Sequence, residues 1–216
     1  KQRIPCFLRR LRGVFLLPAF QQMQIIAQHP ETFLLRLPVA QFLADFSLDR
    51  PSAGRVMAFG VIADRKILRL HLAAENMMDG IFAERWRQRD ILMLGDSHPL
   101  IETSYFRAPI EMRGLIGEML NAGLHPILAH PERYKYMEQS DYEELKQLGL
   151  LFQLNLGSIA GCYSKHIKEK AEWLLENGYY DLMGSDIHNL RFYNHTINEP
   201  LSKKVIEAMR QIPNQL

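Results

Sequence analysis

Cysteine is scarce in this chain. Cys6 and Cys162 are the two in 216 residues, too few and too far apart for a disulfide framework, and they form no Cys-x-x-Cys pair. Cys162 has Lys168, not arginine, six positions on, so it lacks the Cys-x5-Arg spacing of a thiolate phosphatase. Long apolar runs are missing as well: none approaches the ~20 residues that a membrane-spanning helix needs. The longest early candidate, Val14–Phe20, is short and broken by Pro18. Arg9, Arg10 and Arg12 stand where a signal peptide would place its apolar core. These absences point to a cytoplasmic chain with no membrane span. Internal repeats and low-complexity stretches are also lacking, which sets aside solenoids and disordered arms.

Acidic residues are few in the first third. Residues 1–70 carry a net charge of +7, with nine Arg and two Lys, whereas residues 71–216 carry −5. A basic segment invites a nucleic-acid reading, but this one has no basic–aromatic interleaving of a known module, so no nucleic-acid partner is expected. Its apolar periodicity is weak. Gln21–Ala27 and Glu31–Leu43 have helical character, with Pro30 and Pro38 as breakers.

From about residue 68 the text changes character. Apolar runs of strand length alternate with helix-periodic stretches. Strands are predicted at Leu68–Ala74, Ile91–Leu94, Pro99–Thr103, Pro126–Ala129, Leu151–Leu156 and Tyr180–Gly184. Helices are predicted at Asp79–Arg89, Ile110–Ala122, Ser140–Leu148 with a Ser140/Glu143 capping box, Lys165–Asn177 and Leu201–Ile212. Strands alternating with helices imply a mostly parallel sheet or barrel with helices outside. At 47% hydrophobic and 23% charged residues, the chain has the composition of an ordinary globular domain with a sizeable core.

In such folds chemistry collects where strands end at the carboxyl edge. Those ends read Ala74-Glu75, Ile101-Glu102-Thr103, Ala129-His130-Pro131-Glu132-Arg133 and Gly184-Ser185-Asp186-Ile187-His188. A single Glu after a strand is ordinarily solvated or caps a helix, and a lone Asp-x-His is ordinarily a turn. Glu, Glu, His, then Asp-x-His at successive strand ends is a different matter, because all would face one edge. On an extended segment Asp186 and His188 would point to the same side. Carboxylates with imidazoles and no thiolate suit Mn, Zn or Fe.

Leu72-Ala73-Ala74-Glu75, Leu128-Ala129-His130-Pro131-Glu132-Arg133-Tyr134, Gln153-Leu154-Asn155-Leu156-Gly157-Ser158 and Gly184-Ser185-Asp186-Ile187-His188-Asn189 together resemble the PHP-class tyrosine-protein phosphatases of bacterial capsule and exopolysaccharide operons. The resemblance covers about residues 70–216. It implies an α/β fold, a distorted TIM-like β/α barrel of the PHP type, holding two to three Mn2+ ions. It implies a metal-dependent hydrolase acting on the phosphotyrosine tail of a bacterial tyrosine kinase. By the same resemblance Glu75, Glu102, His130, Asp186 and His188 are metal ligands and Arg133 meets the substrate phosphate. Arg191 stands near the family's second arginine and is equally well read as a surface loop residue. Other PHP phosphoesterases, such as those resembling histidinol-phosphate phosphatase, share the ligand pattern; the Ala-His-Pro-Glu-Arg-Tyr wording favours the tyrosine-phosphatase branch.

The family opens with Asp-x-His-Ser-His and a later Thr-Pro-His, and neither occurs here. His29, in Gln28-His29-Pro30, is the one histidine before His71. The expectation is therefore a chain in two parts: residues 1–68, an atypical segment with the mark of wrong-frame translation, and residues 69–216, a PHP-like domain whose N-terminal strands are missing or replaced. Such a chain would be weakly active, or a non-catalytic remnant.

Overall fold

The computed structural model describes residues 2–3, 23–25, 56–62, 68–187 and 189–214, with side chains from residue 73 onward except that of Leu190. Strands β1 (Gln2–Arg3), β2 (Met23–Ile25), β3 (Val56–Ile62) and β4 (Leu68–Met77) come first, followed by helix α1 (Phe82–Arg87). Then follow β5 (Leu100–Glu102), α2 (Met112–Asn121), β6 (Ile127–Ala129), a 3-10 turn (Pro131–Arg133) and α3 (Gln139–Leu148). The chain ends with β7 (Leu151–Asn155), α4 (Leu156–Ile159), α5 (Lys165–Glu176), β8 (Leu182–Gly184), α6 (Leu190–Asn198), β9 (Pro200–Leu201) and α7 (Lys203–Met209).

Strands β4 to β8 lie side by side in chain order and all pair in parallel. Helices fill the crossovers, as a parallel sheet requires. β3 adds to β4 antiparallel, and β2 to β3 in parallel, giving seven strands. Among the described residues the sheet is open, with β2 and β8 at its edges, so the expected barrel closure is not formed by them. At the β8 edge the C-terminal tail takes the place of a further strand: Asn214 accepts a hydrogen bond from Met183 N at 2.8 Å and donates its own N–H to Asp181 O at 2.9 Å.

Both faces of the parallel strands are apolar, as burial on both sides demands. Ile101, Leu128, Phe152 and Leu154 pack under the helices with Ile116, Met119, Tyr142 and Leu174. The alternating set Ala73, Leu100, Ile127, Ala129 and Leu182 forms a smaller cluster on the opposite face, with Leu94 beneath it. Gly157, at the start of α4, has no room for a side chain, because a Cβ there would meet the ring of Phe192 on α6. That contact brings the segment after β8 against the end of β7.

Five predicted strands form within about three residues of their expected limits, and the differences are local. Ile91–Leu94 is not a strand; Gly95 at φ 56° turns the chain so that Leu94 faces His98 in an isolated bridge. Helix α3 begins earlier than the Ser140/Glu143 box predicts. Glu138 is its N-cap, with Asp141 Oδ2 accepting from Glu138 N at 2.9 Å, so an equally spaced carboxylate pair two residues upstream wins. The last helix starts at Lys203 behind a Ser202 cap, because Leu201 pairs with β1. The helical reading of Gln21–Ala27 gives way to β2, whose backbone is taken up by pairing with β3. Glu31–Leu43 lies outside the described residues. Helices α4 and α6 were not anticipated.

Truncating Phe152, fully buried on β7 with its ring against Tyr142 of α3, should cost about 3–5 kcal/mol as Phe152→Ala. Removing the α5 cap, where Ser164 Oγ accepts from Ile167 N, should cost about 1 kcal/mol as Ser164→Ala. Urea midpoints at constant slope check both, and equal losses would contradict this division of the core.

Candidate metal centre

The carboxyl edge of the parallel strands carries the polar residues that the rest of the core excludes. Glu75 lies on β4 and Glu102 is the last residue of β5, while His130 directly follows β6. All three are at most 3% exposed, and their candidate ligand atoms lie within 4.8 Å of one another. His130 Nε2 is 2.8 Å from Glu75 Oε1 and 3.5 Å from Glu102 Oε2. Burial alone would push the imidazole pKa down, but the two carboxylates outweigh it and hold it up at about 10. Two buried carboxylates thus converge on one point and demand positive charge there. Their hard oxygens and one imidazole nitrogen suit a divalent cation, with no thiolate among the three. Among the described residues His130 Nδ1 is buried with no hydrogen-bond partner, and their polar contacts to the ring are all on the Nε2 side.

Backbone and second residues fix this convergence. The fully buried Tyr134 hydroxyl donates to Ala129 O at 2.9 Å and accepts from Thr103 N at 3.2 Å. One oxygen therefore ties the residue after Glu102 to the residue before His130. His130 N donates to Gln153 O at 2.9 Å, anchoring the turn to β7. His130 itself sits at φ 37°, in the left-handed region that costs a non-glycine residue of order 1–3 kcal/mol. Glu132, buried under the turn, accepts from Asn155 N at 3.2 Å and from Tyr180 Oη at 2.9 Å, and burial holds its carboxyl above the usual range.

A second group lies beside the first. Arg133 Nη1 donates to Asp186 Oδ2 at 2.9 Å, and Asn155 Nδ2 donates to the same oxygen at 2.8 Å. The guanidinium carbon is 4.5 Å from the ring centroids of both Tyr105 and Tyr163. The Tyr105 ring also meets His130 edge-on at 5.9 Å, so it spans both groups. Burial, together with Glu102, Asp186 and Glu75, pushes its hydroxyl up to about 12, against the pull of Arg133.

Of the five residues expected as ligands, Glu75, Glu102 and His130 form the close group, and Asp186 lies against Arg133 and Asn155. Asp186 is not extended, having φ 44°, so the same-side argument from an extended Asp-x-His does not describe it. His188 lies outside the described residues. Arg191 is exposed in the first turn of α6. Tyr105 and Tyr163 have no site role in the sequence reading, and Asn155 enters it within the Gln153–Ser158 stretch of the family resemblance without a role of its own, although its place at the end of β7 was an available signal. Cys6 and Arg12 have the spacing that Cys162 lacks, but they lie outside the described residues, and no glycine stands between them to shape a phosphate cradle.

Comparison with known proteins gives a consistent result. The family model described as capsular polysaccharide synthesis, CpsB/CapC, matches residues 61–210. Tyrosine-protein phosphatase YwqE of Bacillus subtilis (strain 168) is 28% identical over 132 residues, 60% of this chain and 52% of that protein. Tyrosine-protein phosphatase CpsB of Streptococcus pneumoniae is 30% identical over 115 residues, 50% of this chain and 47% of its own length. The chain thus spans about half the length of these curated relatives. A solved structure from work on YwqE of Bacillus subtilis and CpsB of Streptococcus pneumoniae, described as unique metal-dependent tyrosine phosphatases, shares the fold. It aligns with a TM-score of 0.54 at 23% identity, covering 66% of this chain and 57% of that one. The match to the family begins inside β3, earlier than the boundary read from the sequence. Among the described residues no helix is long and apolar enough to cross a membrane.

The His130 cluster sets a pH dependence. The imidazolium is held at about 10 in the fold, against 6.5 ordinarily, so its stabilisation is full below about 6.5 and drains as pH rises towards 10. Chelator-treated protein should show urea midpoints that fall across that window, and His130→Gln should flatten the fall. A midpoint constant from pH 6.5 to 10 in the unsubstituted chain would contradict the charge assignment.

Proposed function

This chain belongs to the CpsB/CapC capsular polysaccharide synthesis family, and from that premise we propose that it carries the C-terminal part of a metal-dependent protein-tyrosine phosphatase site. The observation that carries the reading is the buried Glu75–Glu102–His130 group at the carboxyl edge, with an arginine adjoining it. Mn2+ is the ion proposed, and the phosphotyrosine tail of a bacterial tyrosine kinase acting in capsule synthesis is the proposed substrate. The parallel strands β4 to β8 are proposed to be part of the wall of a PHP-type barrel.

Glu75, Glu102 and His130 would hold the ion, with Asp186 and His188 completing the set. A divalent ion so held lowers the pKa of a bound water and offsets charge on phosphoryl oxygens. Arg133 presents a planar fork of N–H donors that matches two phosphoryl oxygens, and it is always charged. Asp186 receives Arg133 at 2.9 Å and keeps the guanidinium at the edge of the site. Tyr134 and Gln153 fix His130 from below through backbone contacts, so the imidazole needs no reorganisation during turnover. Arg191 is a second candidate for the phosphate.

The family's Asp-x-His-Ser-His and Thr-Pro-His imidazoles are absent from the sequence, and residues before 61 fall outside the family match. We propose that this upstream text is not family sequence, and reading the encoding nucleotides in the other frames for those two motifs tests it. The chain as given is then a weak catalyst, and a chain joined to a segment bearing both motifs is an active one.

In that joined chain, His130→Ala and Asp186→Ala should abolish phosphotyrosine-peptide hydrolysis together with manganese uptake. Arg133→Ala should keep the metal and slow turnover by about 10²–10³-fold, the usual cost of losing one group that stabilises transition-state charge. Metal analysis alongside steady-state kinetics separates the two classes. Histidinol phosphate turned over faster than phosphotyrosine peptide would move the assignment to another PHP branch.

A further inference from the structure

Arg133 is held in a way that neither its motif nor its ion pair explains. Its side chain is 14% exposed, and it leaves a single 3-10 turn, a scaffold with little rigidity of its own. A guanidinium on a flexible stem gains affinity for an anion only if its plane is already set. The structure supplies the missing constraint from two distant elements. Tyr105 comes from the connection after β5, and Tyr163 from the connection between α4 and α5. Arg133 Cζ lies 4.5 Å from the centroid of each ring, well within cation–π range.

We propose that Tyr105 and Tyr163 are positioning residues that set the guanidinium plane of Arg133 for a phosphoryl group. The proposal rests on the phosphatase reading for the identity of the anion, but not for the positioning itself. Each ring is anchored independently of Arg133. Tyr105 O accepts from Lys135 N at 2.8 Å, and the ring packs 6.1 Å from that of Tyr134. Tyr163 Oη lies 3.4 Å from Asp186 Oδ2 and accepts from Asn155 Nδ2 at 3.2 Å, and its ring packs 5.6 Å from Phe192. Burial pushes the Tyr163 hydroxyl pKa well up, so it stays a neutral donor to Asp186. The two rings thus do different work. Tyr105 offers its face alone to Arg133, whereas Tyr163 offers both a face and a hydroxyl that shares the carboxylate oxygen Arg133 uses.

The test uses the full chain with Mn2+ present and inorganic phosphate as the probe. Tyr105→Leu and Tyr163→Leu should each weaken phosphate binding by about tenfold, within the range of one lost cation–π contact. They should broaden or shift the Arg133 Nε–Hε NMR signal while leaving bound manganese unchanged. Tyr105→Phe should restore both readouts to within about twofold. Tyr163→Phe should restore the Arg133 signal but bind phosphate with intermediate strength. In an Arg133→Ala background neither leucine change should weaken binding further, the non-additivity expected of one unit. Melting temperatures identify any leucine variant that fails to fold, and Tyr105→Met or Tyr163→Met then takes its place. Leucine or methionine variants with an unaltered Arg133 signal and unaltered phosphate affinity overturn the proposal. Phosphate that does not bind the original chain, with an Arg133 signal that still depends on the rings, overturns the phosphate reading and leaves the positioning established.

Discussion

Two carboxylates buried against one imidazole nitrogen are the constraint on which the rest of this structure depends. Glu75 and Glu102 are at most 3% exposed, and removing charge from water to that degree is tolerable only where opposite charge is close at hand. The sheet achieves this by parallel pairing. Glu75 on β4 lies opposite Leu100, so Glu102 falls two residues further along β5 on the same face. His130 then follows β6, one strand over. A change in any of these registers would move a carboxylate away from the imidazole and leave a buried charge unmatched.

The supporting contacts serve the same end. The Tyr134 hydroxyl bridges the neighbours of Glu102 and His130, and Lys170 Nζ donates to Tyr134 O at 2.9 Å and Met137 O at 3.0 Å, closing the loop over α5. Glu132 joins the turn to β7 and to Tyr180. The His-Pro-Glu-Arg-Tyr stretch is thus one device. His130 faces the carboxylates, Glu132 is directed inward to anchor the turn, Arg133 faces the ring pair, and Tyr134 fastens the strand ends.

Much of this was legible in the sequence, and the limits were physical. Strand positions were readable because apolar runs bounded by Gly, Pro and polar residues leave few alternatives, and Glu75, Glu102 and His130 stood out because each directly ends such a run. Local competition was not readable. Glu138/Asp141 and Ser140/Glu143 satisfy the same spacing rule, and only the packed helix chooses between them. Helix α6, which Asn189 caps by accepting from Phe192 N, is absent from the sequence reading; of its described apolar side chains Tyr193 and Ile197 are the buried ones. Tyr105 and Tyr163 carry no motif at all. Their role arises from elements 58 residues apart in sequence, which three-dimensional packing alone brings onto one guanidinium.

Among the described residues four that are not glycine have positive φ, and two of them are His130 and Asp186. Glycine would adopt those backbone angles without steric cost, so the chain keeps side chains of the proposed site where its own backbone disfavours them. Glycine at either position would relieve the backbone yet strip Glu75 and Glu102, or Arg133, of the charged partner it now has, so local strain and ion pairing pull in opposite directions there. A library selected for durability alone would therefore admit glycine at His130 or Asp186 only together with loss of the carboxylates or the guanidinium that each one faces.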